Sequence, residues 1–176
     1  MIKYAITPHY DKKILHEIMQ KEPSFIAFRN KETSTLKEDA KAFLENLPKD
    51  SNVETFLSEH YLLAKELGFD GVHLTSKQYF FVPEAKRRGL KVLISCHSEA
   101  EIEEAIRKKV DYVVYSPIFP TPNKGEPKGI EDLKATVLRY NIPIIALGGI
   151  LTQEQIDAVK EAGAVGFASI RYFTGA

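Results

Sequence analysis

Strand signals and helix signals alternate without a break along this chain, and that regularity restricts the fold more than any other feature. Short runs rich in apolar and β-branched residues fall at 2–6, 24–28, 53–57, 71–74, 91–95, 112–115, 142–147 and 165–169. Between them lie stretches with helical spacing and readable ends. Asp11 caps 11–21; Ser34 or Thr35 caps 33–47, which stops at Pro48; Gly68 stops 59–67; and Gly89 ends 83–88. Further helices are predicted over 98–108, 130–140 and 152–163. Ser98 with Glu101, and Thr152 with Gln155, have capping-box spacing. The last few residues allow only one more turn.

Strict alternation implies a parallel sheet covered by helices. Eight units point to an α/β fold of one domain over 1–176, a closed parallel (β/α)8 TIM barrel. The 176 residues fall well below the roughly 250 usual for that barrel, so loops must be short and some helices stubs. The fourth unit is the weakest, since Tyr79, Phe80, Phe81 and Val82 show no helical face. An open flavodoxin-like sheet is the alternative and would discard about three of the strands.

In such a barrel the functional rim is formed by the carboxyl ends of the strands. That rule selects Arg29 and Lys31, Ser58 and Glu59, Thr75 to Gln78, and Ser95 and His97. It also selects Ser116, Thr121, Asn123 and Lys124, then Gly148 and Gly149, then Ser169 and Ile170. Cations and amide-rich turns on one rim suit an anion, best a phosphorylated ligand. The stretch 111–150 concentrates these features. Its second apolar run ends in Gly148-Gly149, where a missing Cβ lets a ligand approach the backbone. A plain strand-to-helix turn would use the same glycines.

Single residues carry bland readings beside the sharp ones. His97 can act as an acid or base near neutral pH, or simply bond locally at a helix start. His73 lies in a buried strand, where a satisfied core imidazole is the ordinary case. Tyr79, Phe80 and Phe81 either wall a heterocycle pocket, pack a shortened fourth unit, or form a subunit contact.

Composition narrows the partners. Lys and Arg number 24, as do Asp and Glu, so no basic stripe favours nucleic acid or an anionic membrane. The lone Cys96 excludes an internal disulfide and a cysteine zinc cage, and fits a reducing compartment. With no signal-like core in MIKYAITPHYDKK and no spanning apolar run, the expected location is the cytoplasm.

The motifs GVHL at 71–74, SCHSEAE at 95–101, DYVVYSPIFPTPNK at 111–124 and IPIIALGGI at 142–150 resemble the thiamine phosphate synthase/TenI family. Their order and spacing match along nearly the whole chain. The resemblance implies a (β/α)8 barrel of thiamine biosynthesis. Synthases of this family join a pyrimidine diphosphate to a thiazole phosphate with magnesium, releasing pyrophosphate. TenI relatives bind the same thiazole and can tautomerise it.

Carried over, Arg29 and Lys31 match the family's diphosphate motif, although Ala27 replaces its glutamine. Ser95 matches the serine after the fifth strand, and Thr121 and Lys124 match the loop after the sixth. Gly148, Gly149 and the backbone of Ser169 and Ile170 match the phosphate cradle. Lys124, Ser95 and His97 are the candidate catalytic residues. Two departures stand out. Ser58-Glu59 replaces Asn-Asp, and Thr75-Ser76-Lys77-Gln78 replaces Gly-Gln-x-Asp. The magnesium site is thus degraded: Gln78 brings no charge, Lys77 adds a positive one, and Glu59 is the only weak candidate ligand. The TenI histidine expected near Ser116-Pro117 is absent. The expectation is a TenI-like protein binding a thiazole phosphate or thiamine phosphate, with tautomerase activity in view. A synthase with an altered magnesium site and a non-catalytic regulatory barrel are the alternatives. A second copy of the chain as partner stays open.

Overall fold

The computed structural model describes residues 1–175. Eight parallel strands close into a barrel in chain order, with β8 pairing back onto β1. The strands are β1 Ile2–Thr7, β2 Phe25–Phe28, β3 Glu54–Ser58, β4 Gly71–Leu74, β5 Lys91–Cys96, β6 Tyr112–Tyr115, β7 Ile144–Leu147 and β8 Gly166–Ser169. The helices that follow them are α1 Lys12–Met19, α2 Leu36–Asn46, α3 Tyr61–Leu67, α4 Val82–Arg87, α5 Glu99–Lys108, α6 Gly129–Arg139, α7 Gln153–Glu161 and α8 Arg171–Thr174.

The strands read as continuous apolar runs because both their faces are buried. Side chains alternate across a strand with period two. One set fills the barrel, including Tyr4, Phe25, Phe56, Leu93, Val114, Ile145 and Ala168. The other set, such as Ile26, Leu57, Val72, Val92, Val113 and Phe167, packs under the helices against Leu15, Phe43, Ile102, Leu133 and Val159.

Three residues just ahead of even-numbered strands pin the strands before them. Asp70 accepts from the Thr55 N–H at 2.8 Å and lies 3.2 Å from the Thr55 hydroxyl. Asp111 accepts from the Val92 N–H at 2.7 Å, and its other oxygen meets Lys86 at 3.0 Å. The Ser24 hydroxyl accepts from the Lys3 N–H at 3.1 Å. These bonds gather at the amino-terminal end of the barrel, away from the rim.

Several local expectations are corrected. Thr35 precedes α2 without capping it; its hydroxyl turns to the Asp39 carboxylate at 3.2 Å. The helix expected from 59 starts only at Tyr61, because Glu59 adopts a positive φ of 69°. β7 starts at Ile144, since Pro143 has no N–H for the ladder. Ser98 accepts from the Glu101 N–H at 3.2 Å, yet the Glu101 carboxylate reaches the His97 N–H, at 2.7 Å, instead of closing the box. Thr152 and Gln155 do form the full capping box.

The fourth unit is resolved by a 3-10 turn over Tyr79–Phe81 leading into α4. Phe81 packs on Tyr61, with ring centres 5.1 Å apart, and joins the core under the helices. Tyr79 and Phe80 are exposed, at 40% and 58%. None of the three lines the rim cavity, so the pocket-wall alternative is set aside.

Candidate functional site

A cavity of about 430 Å³ opens at the carboxyl ends of the strands. Arg29 and Lys31 border it from the end of β2, Ser58 and Glu59 from β3, and Thr75 and Ser76 from β4. Ser95 and His97 enter from β5, and Ser116, Thr121 and Lys124 from the loop after β6. Gly148, Gly149, Ser169 and Ile170 complete the far side. The rim candidates Lys77, Gln78 and Asn123 do not line it. Gln78 is turned inward on its own loop, where its side-chain oxygen accepts from the Thr75 N–H at 3.0 Å.

Two contributors were not among the rim candidates, although His73 is the buried, hydrogen-bonded imidazole its strand suggested. Arg171, the residue after Ile170, lines the cavity. Only its place just past a strand end pointed to it. His73 faces inward from β4, and its ring touches both the barrel interior and the cavity. Its Nδ1 lies 2.7 Å from the Tyr4 hydroxyl and its Nε2 2.9 Å from the Ser95 hydroxyl. Burial, and then the nearby Arg29 charge, lower the His73 pKa to about 3, so the ring is neutral at ordinary pH.

The charge balance is one-sided. Among the described residues, Arg29, Lys31, Lys124 and Arg171 line the cavity against the single carboxylate of Glu59. Lys31 lies 3.7 Å from Glu59 in a solvent-accessible pair, which is a weak interaction. Among the described residues, Arg29, Lys124 and Arg171 have no carboxylate partner. Nor, among the described residues, do the Gly149 and Ile170 N–H groups donate to any backbone carbonyl.

Some predicted side chains are engaged locally. The Ser169 hydroxyl donates to the Ile150 carbonyl at 3.0 Å and accepts from the Tyr172 N–H at 3.1 Å, joining the β7 and β8 turns. The Thr121 hydroxyl donates to the Phe119 carbonyl at 2.9 Å. His97 is exposed, with Nδ1 3.1 Å from the Ser116 carbonyl. The same Nδ1 lies 3.3 Å from the Ser116 hydroxyl. A carbonyl only accepts, so in the neutral ring the bond to it puts the hydrogen on Nδ1 and the lone pair on Nε2. Cys96 is buried, and desolvation followed by Glu101 pushes its thiol to about 12, which leaves it protonated and unreactive.

The glycine pair has a different cause from the one its sequence suggests. A Cβ on Gly148 would lie 2.8 Å from the Pro117 Cα, and one on Gly149 would lie 2.5 Å from the Pro120 carbonyl oxygen. Both residues also have positive φ, 112° and 65°. The missing side chains make room for the start of the loop after β6, and further along that loop Lys124 lines the cavity.

Magnesium needs hard oxygen ligands, usually including carboxylates. Among the described residues, Glu59 is the one carboxylate at the cavity, and it faces Lys31. Among the described residues, no three His, Cys, Asp or Glu side chains gather as a metal-binding set. The residues present therefore do not fit a protein-held magnesium ion.

Residues 3–173 match the family described as thiamine monophosphate synthase, TMP-TENI. The chain belongs to this family. A Bacillus cereus thiamine-phosphate synthase is 33% identical over 168 residues, 89% of this chain and 75% of that protein. A relative from Geobacter sulfurreducens is 34% identical over 144 residues, 77% of this chain, which spans 65% of the relative's length. Among solved structures, thiamine phosphate pyrophosphorylase from Pyrococcus furiosus superposes with a TM-score of 0.85 and 26% identity, covering 99% of this chain and 88% of the other. The thiamine monophosphate synthase family thus accounts for the barrel. Among the described residues, no helix is long and apolar enough to cross a membrane.

Proposed function

We propose that the cavity binds a phosphorylated heterocycle of thiamine biosynthesis, a thiazole phosphate or thiamine phosphate. The observation that carries this reading is the charge balance among the described residues: four cations against one carboxylate, with two N–H groups on the β7–β8 side that donate to no backbone carbonyl. Lys124, Arg171 and the Gly149 and Ile170 amides hold the phosphate. Arg29 and Lys31 take further negative charge at the β2 end. Within this reading His97, with a free Nε2 at the cavity, is the acid/base for tautomerising a bound thiazole.

The second reading is a transferase that joins a pyrimidine diphosphate to the thiazole phosphate. The synthase names of the relatives favour it. Under it, Arg29, Lys31 and Lys124 offset the charge of the departing diphosphate, and any magnesium arrives with the substrate.

Calorimetric titration with thiazole phosphate carboxylate, thiamine phosphate and pyrophosphate tests the first reading. Binding of a thiazole or thiamine phosphate that Lys124→Ala weakens by roughly ten- to hundredfold supports it. Absence of binding refutes it. Robust magnesium-dependent synthesis of thiamine phosphate by the unmodified protein would promote the second. If the thiazole tautomerises, His97→Ala slows it by roughly a hundredfold or more.

A further inference from the structure

Three residues far apart in sequence form one hydrogen-bonded line from the barrel interior to the cavity. Tyr4 on β1 is fully buried. Its hydroxyl lies 2.7 Å from the His73 Nδ1, and the His73 Nε2 lies 2.9 Å from the Ser95 hydroxyl at the cavity floor. Among the described residues, the Tyr4 hydroxyl has no other partner, and neither does the Ser95 hydroxyl.

The direction of the line follows from counting protons. Burial drives the Tyr4 pKa up, so the phenol keeps its hydrogen. If that hydrogen did not go to Nδ1, a buried O–H would be left without an acceptor, and such groups are rare because they are costly. Nδ1 therefore accepts. A neutral imidazole carries one N–H, so the hydrogen is on Nε2. Nε2–H then donates to the Ser95 oxygen. The Ser95 hydrogen cannot point back at His73 and is left for the cavity.

We infer that Tyr4 and His73 are positioning residues that lock the Nε2–H form of His73 and turn the Ser95 O–H into the cavity as a hydrogen-bond donor for an anionic phosphate or diphosphate oxygen. Ser95 on this account binds its ligand. It is neither a nucleophile nor a base, since His73 presents no lone pair to take its proton. The ligand half of the inference rests on the function proposed above.

Two measurements test it. In ligand-free protein labelled with 15N-histidine, the ring spectrum of His73 shows a protonated Nε2 and a bare Nδ1. In Tyr4→Phe, which keeps the ring packed against Phe25 and Phe56, Nδ1 loses its donor and the spectrum moves toward a tautomer mixture. A protonated Nδ1 in the unmodified protein, or a spectrum untouched by Tyr4→Phe, overturns the positioning claim. The second measurement is a double-mutant cycle on pyrophosphate and thiazole phosphate affinity, with melting curves as the fold control. Tyr4→Phe and Ser95→Ala each weaken binding about three- to tenfold, the worth of one hydrogen bond. The double variant binds no more weakly than Ser95→Ala alone, because Tyr4 acts only through Ser95. Additive losses refute that route. Loss for pyrophosphate alone assigns the contact to a diphosphate oxygen; loss for thiazole phosphate alone assigns it to the monophosphate. If the unmodified protein binds neither, the proposed function falls together with the ligand half, and the spectrum still decides the tautomer.

Discussion

At the scale of single residues, His73 links stability to pH. Its pKa is lowered to about 3 by burial and by Arg29, against about 6.5 in an unfolded chain. Between those values the unfolded chain holds the proton and the folded one does not. The contribution of neutral His73 is complete above pH ~6.5 and is lost as pH falls toward 3, at roughly 1.4 kcal/mol per pH unit. Urea unfolding between pH 6 and pH 4 should give a slope that is shallower by about that amount in His73→Gln than in the unmodified protein. Equal slopes would refute the neutral buried ring. Gly149→Ala is the second residue-scale prediction. The added Cβ would press on the Pro120 carbonyl at a positive φ, so a loss of about 2–4 kcal/mol is expected from strain and clash together. Because the same contact seats the loop bearing Lys124, phosphate affinity should fall with it. A variant with unchanged melting temperature and affinity would show that the loop does not depend on that fit.

At the scale of elements, the two ends of the barrel do different work. Asp70 and Asp111 each hold the start of the strand before their own, through bonds to the Thr55 and Val92 N–H groups. Replacing either with Ala leaves a partly buried N–H unpaired, at about 1–3 kcal/mol. The expected outcome is a lower melting temperature with ligand affinity unchanged, since both residues sit at the end opposite the cavity. Weakened affinity at constant stability would contradict that division. Helix ends follow the same logic on a smaller scale. The Thr152–Gln155 box satisfies donors at the start of α7, so Thr152→Ala should cost about 1 kcal/mol, read as a shift in the urea midpoint.

At the scale of the whole molecule, binding at the rim is coupled to folding of the barrel. Pyrophosphate at a hundred times its Kd should stabilise the protein by about 2.7 kcal/mol, a rise of several degrees in a thermal melt. Magnesium alone should produce no rise, because Glu59 is the only carboxylate at the cavity among the described residues and lies beside Lys31. A clear shift with magnesium alone would require a metal site elsewhere. The amino-acid order by itself determined the eight-strand closed barrel and which turns form its rim. Apolar period, caps and stops are set by neighbours a few residues apart, and closure follows from having eight such units. The alternation even placed Gln153–Glu161 and Glu99–Lys108 to within a residue or two. Only the tertiary structure decided which rim residues share a cavity. Arg171 joins it, Gln78 folds back onto Thr75, and Tyr79 and Phe80 face solvent. It alone put Tyr4, His73 and Ser95 in line, and it alone gave Gly148 and Gly149 their reason in the packing of Pro117 and Pro120. Those outcomes depend on loop dihedrals and on contacts between residues tens of positions apart, which leave no period in the sequence to read.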